Sequence, residues 1–357
     1  MPGTFVYKKT IAFSRVILYN GKGYKIETKI SPLSCGRGKG CSMGETYAHR
    51  PVLLKECIEA LNIRPDGVYL DGTLGRGGHS EEIVNRLSDE GRLLCIDRDR
   101  QALDEAGARL APWADRLTFL HGNFSDLADL MDQAGAEAAD GMLFDLGVSS
   151  PQLDDPERGF SYMHDAPLDM RMDRQEALTA WTVVNQWPRD EIRRVLSQYG
   201  EERYAGPIAA AIDRARQTDP IETTGQLAEL IRSALPAAAL REKQHPAKRS
   251  FQGIRIAVND ELTAVSRMLQ AAIPRLRPGG RLAVISFHSL EDRIVKSELA
   301  VAARGCTCPP EFPVCVCGKR PQVRLVARKP ILPGKEELEE NPRARSAKLR
   351  VAEKLES

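Results

Sequence analysis

The sequence predicts an α/β fold, a Rossmann-like parallel sheet into which an all-helical module is inserted. Short apolar runs alternate with helical patterns from about residue 68 onward, which is typical of a parallel sheet covered by helices on both faces. Each run is too short for a helix and is bounded by Gly, Asp or Asn, so the runs predict buried strands. Between roughly Asp154 and Arg249 the alternation stops, and only amphipathic helical segments follow one another.

The predicted elements follow in chain order. Strands are expected at 68–70, 92–96, 117–120, 141–144, 281–285 and, near the end of the chain, 322–327. Helical spacing of apolar residues predicts helices after the first and second strands, and over 262–273 before the fifth. The Pro-Gly-Gly sequence at 278–280 is expected to be a turn that ends this last helix. A charged tail with a basic tract at 343–350 would end the chain.

The chain is expected to divide into three parts. Residues 44–153 and 250–357 would form the α/β domain, and residues 154–249 an inserted helical domain that binds the substrate. Residues 1–43 carry eight basic residues and one acid, although the whole chain has a net charge of only +2. Because this first segment differs so much in composition from the rest, it is predicted to be a basic extension that is disordered or outside the native fold.

Composition excludes several classes of protein. With 357 residues, 42% of them hydrophobic and 28% charged, the chain is typical of globular proteins rather than of disordered or fibrous ones. Its longest stretch without Asp, Glu, Lys or Arg runs only from Ala177 to Pro188, whereas a membrane-spanning helix needs about 20 mostly apolar residues. The first 43 residues lack the apolar core of a signal peptide, so we expect a reducing, cytoplasmic location.

Four of the eight cysteines are close together in the sequence: Cys306, Cys308, Cys315 and Cys317. Two C-x-C pairs could supply the four thiolates of a zinc site, or they could be reduced thiols of a loop. The spacing within each pair is tighter than the common C-x-x-C spacing of zinc ligands. We therefore predict no metal ligand in this chain.

A glycine-rich turn at 70–80 joins the first strand to a helix. Glycines at such a turn let the backbone approach a ligand closely, and the amino end of a helix favours negative charge there. Asp97 ends the second strand, twenty residues past Gly77, where a carboxylate accepts hydrogen bonds from ribose hydroxyls. The G-x-G-x-x-G spacing is absent, and Asp71 would repel a pyrophosphate but favour the amino group of a methionine. S-adenosylmethionine therefore fits better than NAD.

The loops after the third and fourth strands carry further candidates. Phe124 follows the third strand, where its ring could lie on an adenine or could belong to the core. The segment 144–154 is rich in acceptors and small residues and falls at the carboxyl edge of the sheet, where ligands of open α/β folds bind. A methyl acceptor should meet the donor there, near Asp145 with Ser149 or Ser150 as neighbouring acceptors.

Eight sequence blocks resemble the bacterial 16S ribosomal RNA cytosine-N4 methyltransferase family. The blocks lie at 49–54, 71–80, 145–154, 158–162, 167–173, 251–256, 286–293 and 341–350. The resemblance covers about residues 47–352 and implies a Rossmann-like class I methyltransferase sheet with an inserted all-helical domain. It also implies that S-adenosylmethionine is bound by Gly77, Gly78, His79, Asp97, Phe124, Asp145 and Gln152. The implied partner is 16S ribosomal RNA or the small ribosomal subunit, with a cytidine of the decoding centre as methyl acceptor.

Several roles stay open at this level. Asp145 is predicted to be catalytic as an acceptor for the N–H groups of the exocyclic amine, or else to contact only the cofactor. Candidate RNA contacts are Lys248, Arg249, Arg255 and His288, against the alternatives of a solvated basic loop and a structural histidine. Two other functions are a non-catalytic RNA-binding assembly factor and an NAD-linked oxidoreductase. The intact site residues argue against the first, and the glycine spacing argues against the second. Both a monomer and a homodimer remain possible, without a membrane partner.

Overall fold

The computed structural model describes residues 51–306, 308–309 and 311–356, together with the backbone of two short strands nearer the N terminus. Within these described residues, nine strands form one sheet. They are β1 (Arg15–Tyr19), β2 (Lys25–Lys29), β3 (Val68–Asp71), β4 (Arg92–Asp97), β5 (Leu117–His121), β6 (Ala139–Asp145), β7 (Leu276–Ser286), β8 (Val323–Leu325) and β9 (Lys348–Lys354). Their order across the sheet is β2-β1-β5-β4-β3-β6-β7-β9-β8.

The strand order determines where the sheet can bind a ligand. Strands β5, β4, β3, β6 and β7 are parallel neighbours, whereas β9 runs antiparallel between β7 and β8. From β3 the chain builds outward to one side through β4 and β5, and to the other through β6 and β7. Such a reversal opens a crevice at the carboxyl ends of the central strands β3 and β6. The predicted α/β fold is confirmed, and each of the six predicted strands is present.

Helices cover both faces of this sheet. In the described chain they are α1 (Leu54–Leu61), α2 (Gly78–Val84), α3 (Arg100–Arg109), α4 (Leu127–Gln133), α5 (Ser150–Asp154), α6 (Ala180–Gln186), α7 (Arg189–Gln198), α8 (Ala205–Arg216), α9 (Thr224–Ala234), α10 (Lys248–Asn259), α11 (Glu261–Ala272), α12 (Ser289–Arg304) and α13 (Lys335–Glu340). Helices α1 to α3 pack on one face, and α4, α11 and α12 on the other. Successive strand residues such as Leu143 and Phe144 enter opposite layers because strand side chains alternate. No helix of the described part is long and apolar enough to cross a membrane.

Helices α6 to α10 share a third apolar core, distinct from the two layers on the sheet. Its members include Val183, Ile192, Ile208, Ile231 and Phe251. The amphipathic segments predicted between the fourth and fifth strands therefore pack against one another. Helix α10 crosses the predicted boundary at residue 250 and contributes Phe251 to this core. The division of the chain into domains remains a prediction.

The Pro-Gly-Gly sequence at 278–280 is not the turn that the sequence predicts. Helix α11 already ends at its Ala272, and strand β7 begins before the proline. Residue Ala139 pairs with Leu276, and Gly141 with Arg281, so two steps along β6 match five along β7. The extra residues form a bulge inside β7, which explains why a turn-like sequence occurs within a strand.

The basic tract at 343–350 is only partly a tail. Its last residues begin β9, which lies between β7 and β8. The side chains of Leu349 and Val351 are buried in the sheet core, while Arg350 between them donates to Asp292 at 2.7 Å. Sequence reasoning missed this strand because its alternating apolar residues stand among so many charges.

Residues 1–43 fall largely outside the described residues. Strands β1 and β2 pair antiparallel, and β1 lies beside β5 through the pair Tyr19 and Leu120. What the sequence predicts for the whole segment stays a prediction.

Candidate active site

A cleft of about 870 Å³ opens at the carboxyl edge of the sheet. Its walls come from the loops that follow β3 to β7, from the start of α10 and from residues 342–346. This volume is typical of small-molecule sites. The predicted site residues that line the cleft are Gly78, His79, Asp97, Phe124, Asp145, Gln152, Lys248, Arg255 and His288. Gly77 and Arg249, predicted with them, are not among the lining residues.

The glycine-rich turn after β3 is shaped by its neighbours in the fold. Gly77 precedes α2 with a φ of 75°, and a Cβ there would lie 3.0 Å from Leu110, so this residue faces the core. Gly72 faces Phe144, whose ring would lie 2.1 Å from an added Cβ. Because a side chain at either position would force a rearrangement, the two glycines determine the path of the loop. Gly72, Gly75 and Gly78 all border the cleft, the last of them beside His79.

Asp97, at the end of β4, is held by two backbone donors. The N–H of Gly75 donates to its Oδ2, and the N–H of Asp99 donates to its Oδ1, both at 2.8 Å. Burial raises the pKa of this carboxyl to about 6, although the two hydrogen bonds oppose the shift. Each oxygen keeps a lone pair that can accept from a hydroxyl in the cleft, so the predicted ribose contact is geometrically open.

Asp71 does not contact the cleft, contrary to its predicted place beside a methionine amino group. The residue is 1% exposed, and its Oδ2 accepts a hydrogen bond of 2.7 Å from Ser80. Its Oδ1 accepts from the N–H of Thr73 at 3.2 Å. Burial raises the pKa of Asp71 to about 6. Its influence on a ligand is therefore electrostatic rather than by direct contact.

Asp145, at the end of β6, offers an oxygen without a partner. Its N–H donates to Thr73 Oγ1 at 2.6 Å, and its Oδ2 lies 3.9 Å from Nδ1 of His79. Its Oδ1 is buried, and no donor of the described residues reaches it. A buried acceptor that lacks a hydrogen bond is costly. The side chain as a whole is 26% exposed and lines the cleft, so a donor of a ligand can reach this carboxylate.

His79 does not neutralise Asp145. Its Nε2 lies 3.1 Å from the carbonyl oxygen of Val52, which can only accept, so Nε2 carries the proton of the ring. Burial lowers the pKa of His79 to about 4, and the ring is neutral at physiological pH. Nδ1 then has a lone pair rather than a proton and cannot donate to Asp145.

Three carboxyl groups, those of Asp71, Asp97 and Asp145, share this end of the molecule. Burial, followed by the charges of Asp71 and Glu291, raises the pKa of Asp145, and Asp71 also raises that of Asp97. Like charges this close oppose one another's ionisation and favour a bound cation. The sulfonium and ammonium groups of S-adenosylmethionine fit this field, whereas the pyrophosphate of NAD would be repelled. The residues present therefore fit S-adenosylmethionine.

Gln152 lines the cleft, but its amide is engaged within the protein. Its Nε2 donates to Asp99 Oδ2 at 2.9 Å, and its Oε1 accepts from the N–H of Ser149 at 3.1 Å. Nη1 of Arg158 donates to the same Asp99 oxygen at 2.8 Å. Sequence reasoning missed Asp99, and its one signal for Arg158 was a place in a resemblance block. These contacts hold the start of α5 against the loop after β4.

Phe124 lies in the core and at the border of the cleft. Its ring lies edge-on to Phe144, with centroids 6.1 Å apart and planes at 74°. It packs against the sheet layer that contains α4 and α11, and it also borders the cleft. A core position and a ligand contact are therefore compatible for this side chain.

His288 and Arg255 belong to a buried polar network. Nδ1 of His288 accepts from the N–H of Glu291 at 3.4 Å, and its Nε2 lies 3.2 Å from Glu291 Oε1. Arg255 donates two hydrogen bonds of 2.8 Å to the carboxylate of Glu261. Burial would raise the pKa of Glu291, but His288, the N–H of Phe287 and Arg255 hold it below its usual value. The charge of Arg255 is thus matched inside the protein.

Lys248 and Arg249 are consecutive on α10 but face different surfaces. Lys248 is exposed and lines the cleft. Arg249 lines a smaller neighbouring pocket, where its Nη2 lies 3.9 Å from Glu242 Oε2. Arg345 borders the cleft as well; sequence reasoning placed it in a basic tract without assigning it a role.

Fold and cleft together define a class of enzyme. The central strands β5, β4, β3, β6 and β7 are parallel, with antiparallel β9 beside β7. The turn after β3 is glycine-rich, and β4 ends in an acidic residue. The cleft at the carboxyl edge suits a cationic nucleoside. The chain is a class I methyltransferase that depends on S-adenosylmethionine.

Comparison with known proteins gives the family. A sequence model of the MraW methylase family matches residues 46–355, and the chain belongs to this family. Ribosomal RNA small subunit methyltransferase H of Symbiobacterium thermophilum is 58% identical over 311 residues, which cover 87% of this chain and 98% of that protein. The protein of the same name from a Paenibacillus species is 57% identical over 315 residues, 87% of this chain and 100% of its own length. That of Brevibacillus brevis is 54% identical over 310 residues, 87% and 99% of the two chains.

Proposed function

We propose that this chain transfers a methyl group from S-adenosylmethionine to N4 of a cytidine in the decoding centre of 16S ribosomal RNA, as free RNA or in the small subunit. The names of its relatives support small-subunit ribosomal RNA as substrate, and the eight sequence blocks support the cytidine. The structural observation that carries the proposal is the partly exposed carboxylate of Asp145, which lines a cleft that fits the cofactor.

The loops after β3 to β6 hold the cofactor in this proposal. Asp97 accepts from the ribose hydroxyls, Phe124 lies against the adenine, and Gly78 with His79 borders the methionine end. Gly77 does not contact the cofactor but determines the path of the loop that does. Gln152 acts through its hydrogen bond to Asp99, since its amide already has two partners.

The chemical task of the protein is to orient a poor nucleophile. S-adenosylmethionine supplies a methyl group that its sulfonium already activates. The lone pair of cytosine N4 is delocalised into the ring, so the amine must be turned and held as its nitrogen becomes pyramidal. The carboxylate of Asp145 accepts an N–H of this amine, with Ser149 and Ser150 on the same wall. Alignment of this kind can lower a barrier by about 7–11 kcal/mol at best.

The target cytosine must leave its base stack to reach Asp145 in the cleft. Tyr162 borders the cleft, and its ring is stacked on His245, with centroids 4.3 Å apart and planes at 12°. Phe251 supports the same ring edge-on at 5.5 Å. Stacking of a base on an aromatic side chain contributes about 1–3 kcal/mol. The half-buried, preorganised ring of Tyr162 therefore receives the extruded cytosine.

Lys248→Ala should weaken RNA binding several-fold, whereas Arg249→Ala should change it little. Lys248 faces the cleft, but Arg249 faces Glu242 in a different pocket. Loss of one phosphate contact should reduce the slope of log affinity against log salt by about 1. Binding of the decoding-centre RNA, titrated at several salt concentrations, measures both quantities. Equal effects of the two substitutions would contradict the proposal that Lys248, but not Arg249, contacts the RNA.

Cofactor affinity should fall as the pH is lowered through about 6, the pKa to which burial raises Asp97 in the free protein. Below this pKa the carboxyl of Asp97 is protonated, so it accepts the ribose hydroxyls less strongly and no longer adds negative charge to the field that favours the sulfonium cation. S-adenosylhomocysteine has no sulfonium charge, so its affinity should depend less on pH. Calorimetric titration of both ligands between pH 5 and 8 tests this difference. Parallel pH profiles for the two ligands would show that the carboxyl cluster does not recognise the cation.

Methyl transfer to unmodified substrates tests the function itself. The purified chain, S-adenosylmethionine and either small subunits or naked 16S RNA are incubated, and the RNA is digested and mapped by mass spectrometry. We expect N4-methylcytidine at one decoding-centre position. A methyl group on another base would contradict the proposed acceptor, and binding of the RNA without any transfer would favour an assembly factor.

A further inference from the structure

The loop between α12 and β8 brings four thiols together. Every pair of Sγ atoms among Cys306, Cys308, Cys315 and Cys317 lies within 4.8 Å. We propose that this cluster binds one structural zinc ion through four thiolates, a site separate from the cleft and independent of the proposed methyl acceptor. In the sequence, the C-x-C spacing argued against a zinc site. In the folded loop, the short distances between the sulfur atoms favour one.

The sulfur separations match a tetrahedral ion. Sγ of Cys315 lies 3.4 Å from that of Cys306, 3.9 Å from that of Cys308 and 3.6 Å from that of Cys317, and Cys306 and Cys317 are 3.8 Å apart. Zn–S bonds of about 2.3 Å directed to the corners of a tetrahedron place sulfurs about 3.8 Å apart. Two disulfides would instead require two pairs at about 2.05 Å. The 3.6 Å within the pair Cys315 and Cys317 shows that a C-x-C segment can supply two neighbouring ligands.

The described apolar side chains of the loop do not order it. Phe312, Val314 and Val316 are 50%, 70% and 72% exposed, so its described apolar side chains form no core. The N–H of Val316 donates to Sγ of Cys308 at 3.3 Å, a contact that stabilises a thiolate. Ordering so many residues costs conformational entropy, and a bound metal supplies the missing free energy.

Both ends of the loop are anchored beside each other. Gly305 follows α12 with a φ of 71°, and a Cβ there would lie 2.3 Å from the backbone of Arg320 and Pro321. The N–H of Gln322 donates to the carbonyl oxygen of Ala302 at 2.8 Å. The cysteines therefore lie in a loop whose two ends are held together by contacts between the end of α12 and the residues before β8. Binding of Zn²⁺ converts the four thiols to thiolates and releases their protons to solvent.

Elemental analysis tests the proposal directly. The full chain, purified under reducing conditions without chelator, should contain about one zinc ion per chain. Cys315→Ser should lose this zinc, while Val316→Ser, an exposed neighbour in the same loop, should keep it. Binding of S-adenosylmethionine, measured on each variant, shows that the α/β fold is intact.

Cobalt(II) gives a second readout that does not depend on a variant. Cobalt-loaded protein should show the intense visible bands of a tetrahedral thiolate complex, and zinc should displace the cobalt and abolish them. Chelation of the zinc should make the four thiols reactive and lower the thermal midpoint. Zinc-free protein with freely reactive thiols, two disulfides in the reduced preparation, or iron in place of zinc would overturn the proposal.

Discussion

Asp145→Asn should slow methyl transfer by about 100- to 1,000-fold, the cost of removing one preorganised partner of the transition state. Asparagine keeps the shape of the side chain but exchanges one acceptor oxygen for a donor. If the new NH₂ group faces the amine of the substrate, two hydrogen-bond donors oppose each other. If the side chain instead turns its remaining oxygen toward the amine, that oxygen must move from its original position to accept the hydrogen bond. Single-turnover rates at saturating cofactor and RNA isolate this step from binding.

The same substitution at an exposed aspartate shows whether the loss of rate is specific to Asp145. Asp104→Asn makes the same chemical change on the exposed face of α3, where Asp104 pairs with Arg100 at 3.7 Å, and should leave the rate unchanged. If Asp145→Asn weakens only cofactor binding, with normal transfer at saturation, Asp145 is a binding residue and its catalytic assignment is wrong.

Residues at strand ends could be predicted because their positions depend on local patterns. Asp97 and Asp145 each end a short apolar run, and parallel strands bring such ends to one edge. What each side chain contacts there depends on residues far away in the sequence. Gln152 reaches Asp99, 53 positions earlier, so its amide could not be known to be engaged. Asp71 also ends a strand, yet Ser80 and the core keep it out of the cleft.

The charge of a residue alone does not predict whether its side chain faces the cleft. Lys248 and Arg249 are equally basic, but consecutive helical residues point about 100° apart. Which of them faces the cleft depends on how α10 packs into the third core through Phe251. The cysteine cluster shows a related limit: the sequence prediction compared ligand spacing with common motifs, whereas the zinc proposal rests on distances between sulfur atoms in the folded loop.

Arg255 illustrates the same limit and allows a strong test. Sequence reasoning assigned it to RNA, but its guanidinium is paired with Glu261, which is 5% exposed. Arg255→Ala should therefore lower the free energy of unfolding by about 3–5 kcal/mol, because Glu261 is left as an uncompensated buried charge. Glu291 loses a second favourable charge, since Arg255 helps to hold its pKa down. Denaturant unfolding measures the loss, and Lys248→Ala, an exposed basic residue, should leave stability unchanged.

The double substitution Arg255→Met with Glu261→Leu decides between an ion pair and an RNA contact. Replacing both members of a buried pair by apolar residues of similar volume is often neutral for stability, so the double variant should regain most of what Arg255→Ala loses. RNA affinity and its salt dependence should then equal those of the unchanged chain. A refolded double variant that still binds RNA more weakly, with a shallower salt slope, would show that Arg255 reaches a phosphate and that Glu261 only positions it.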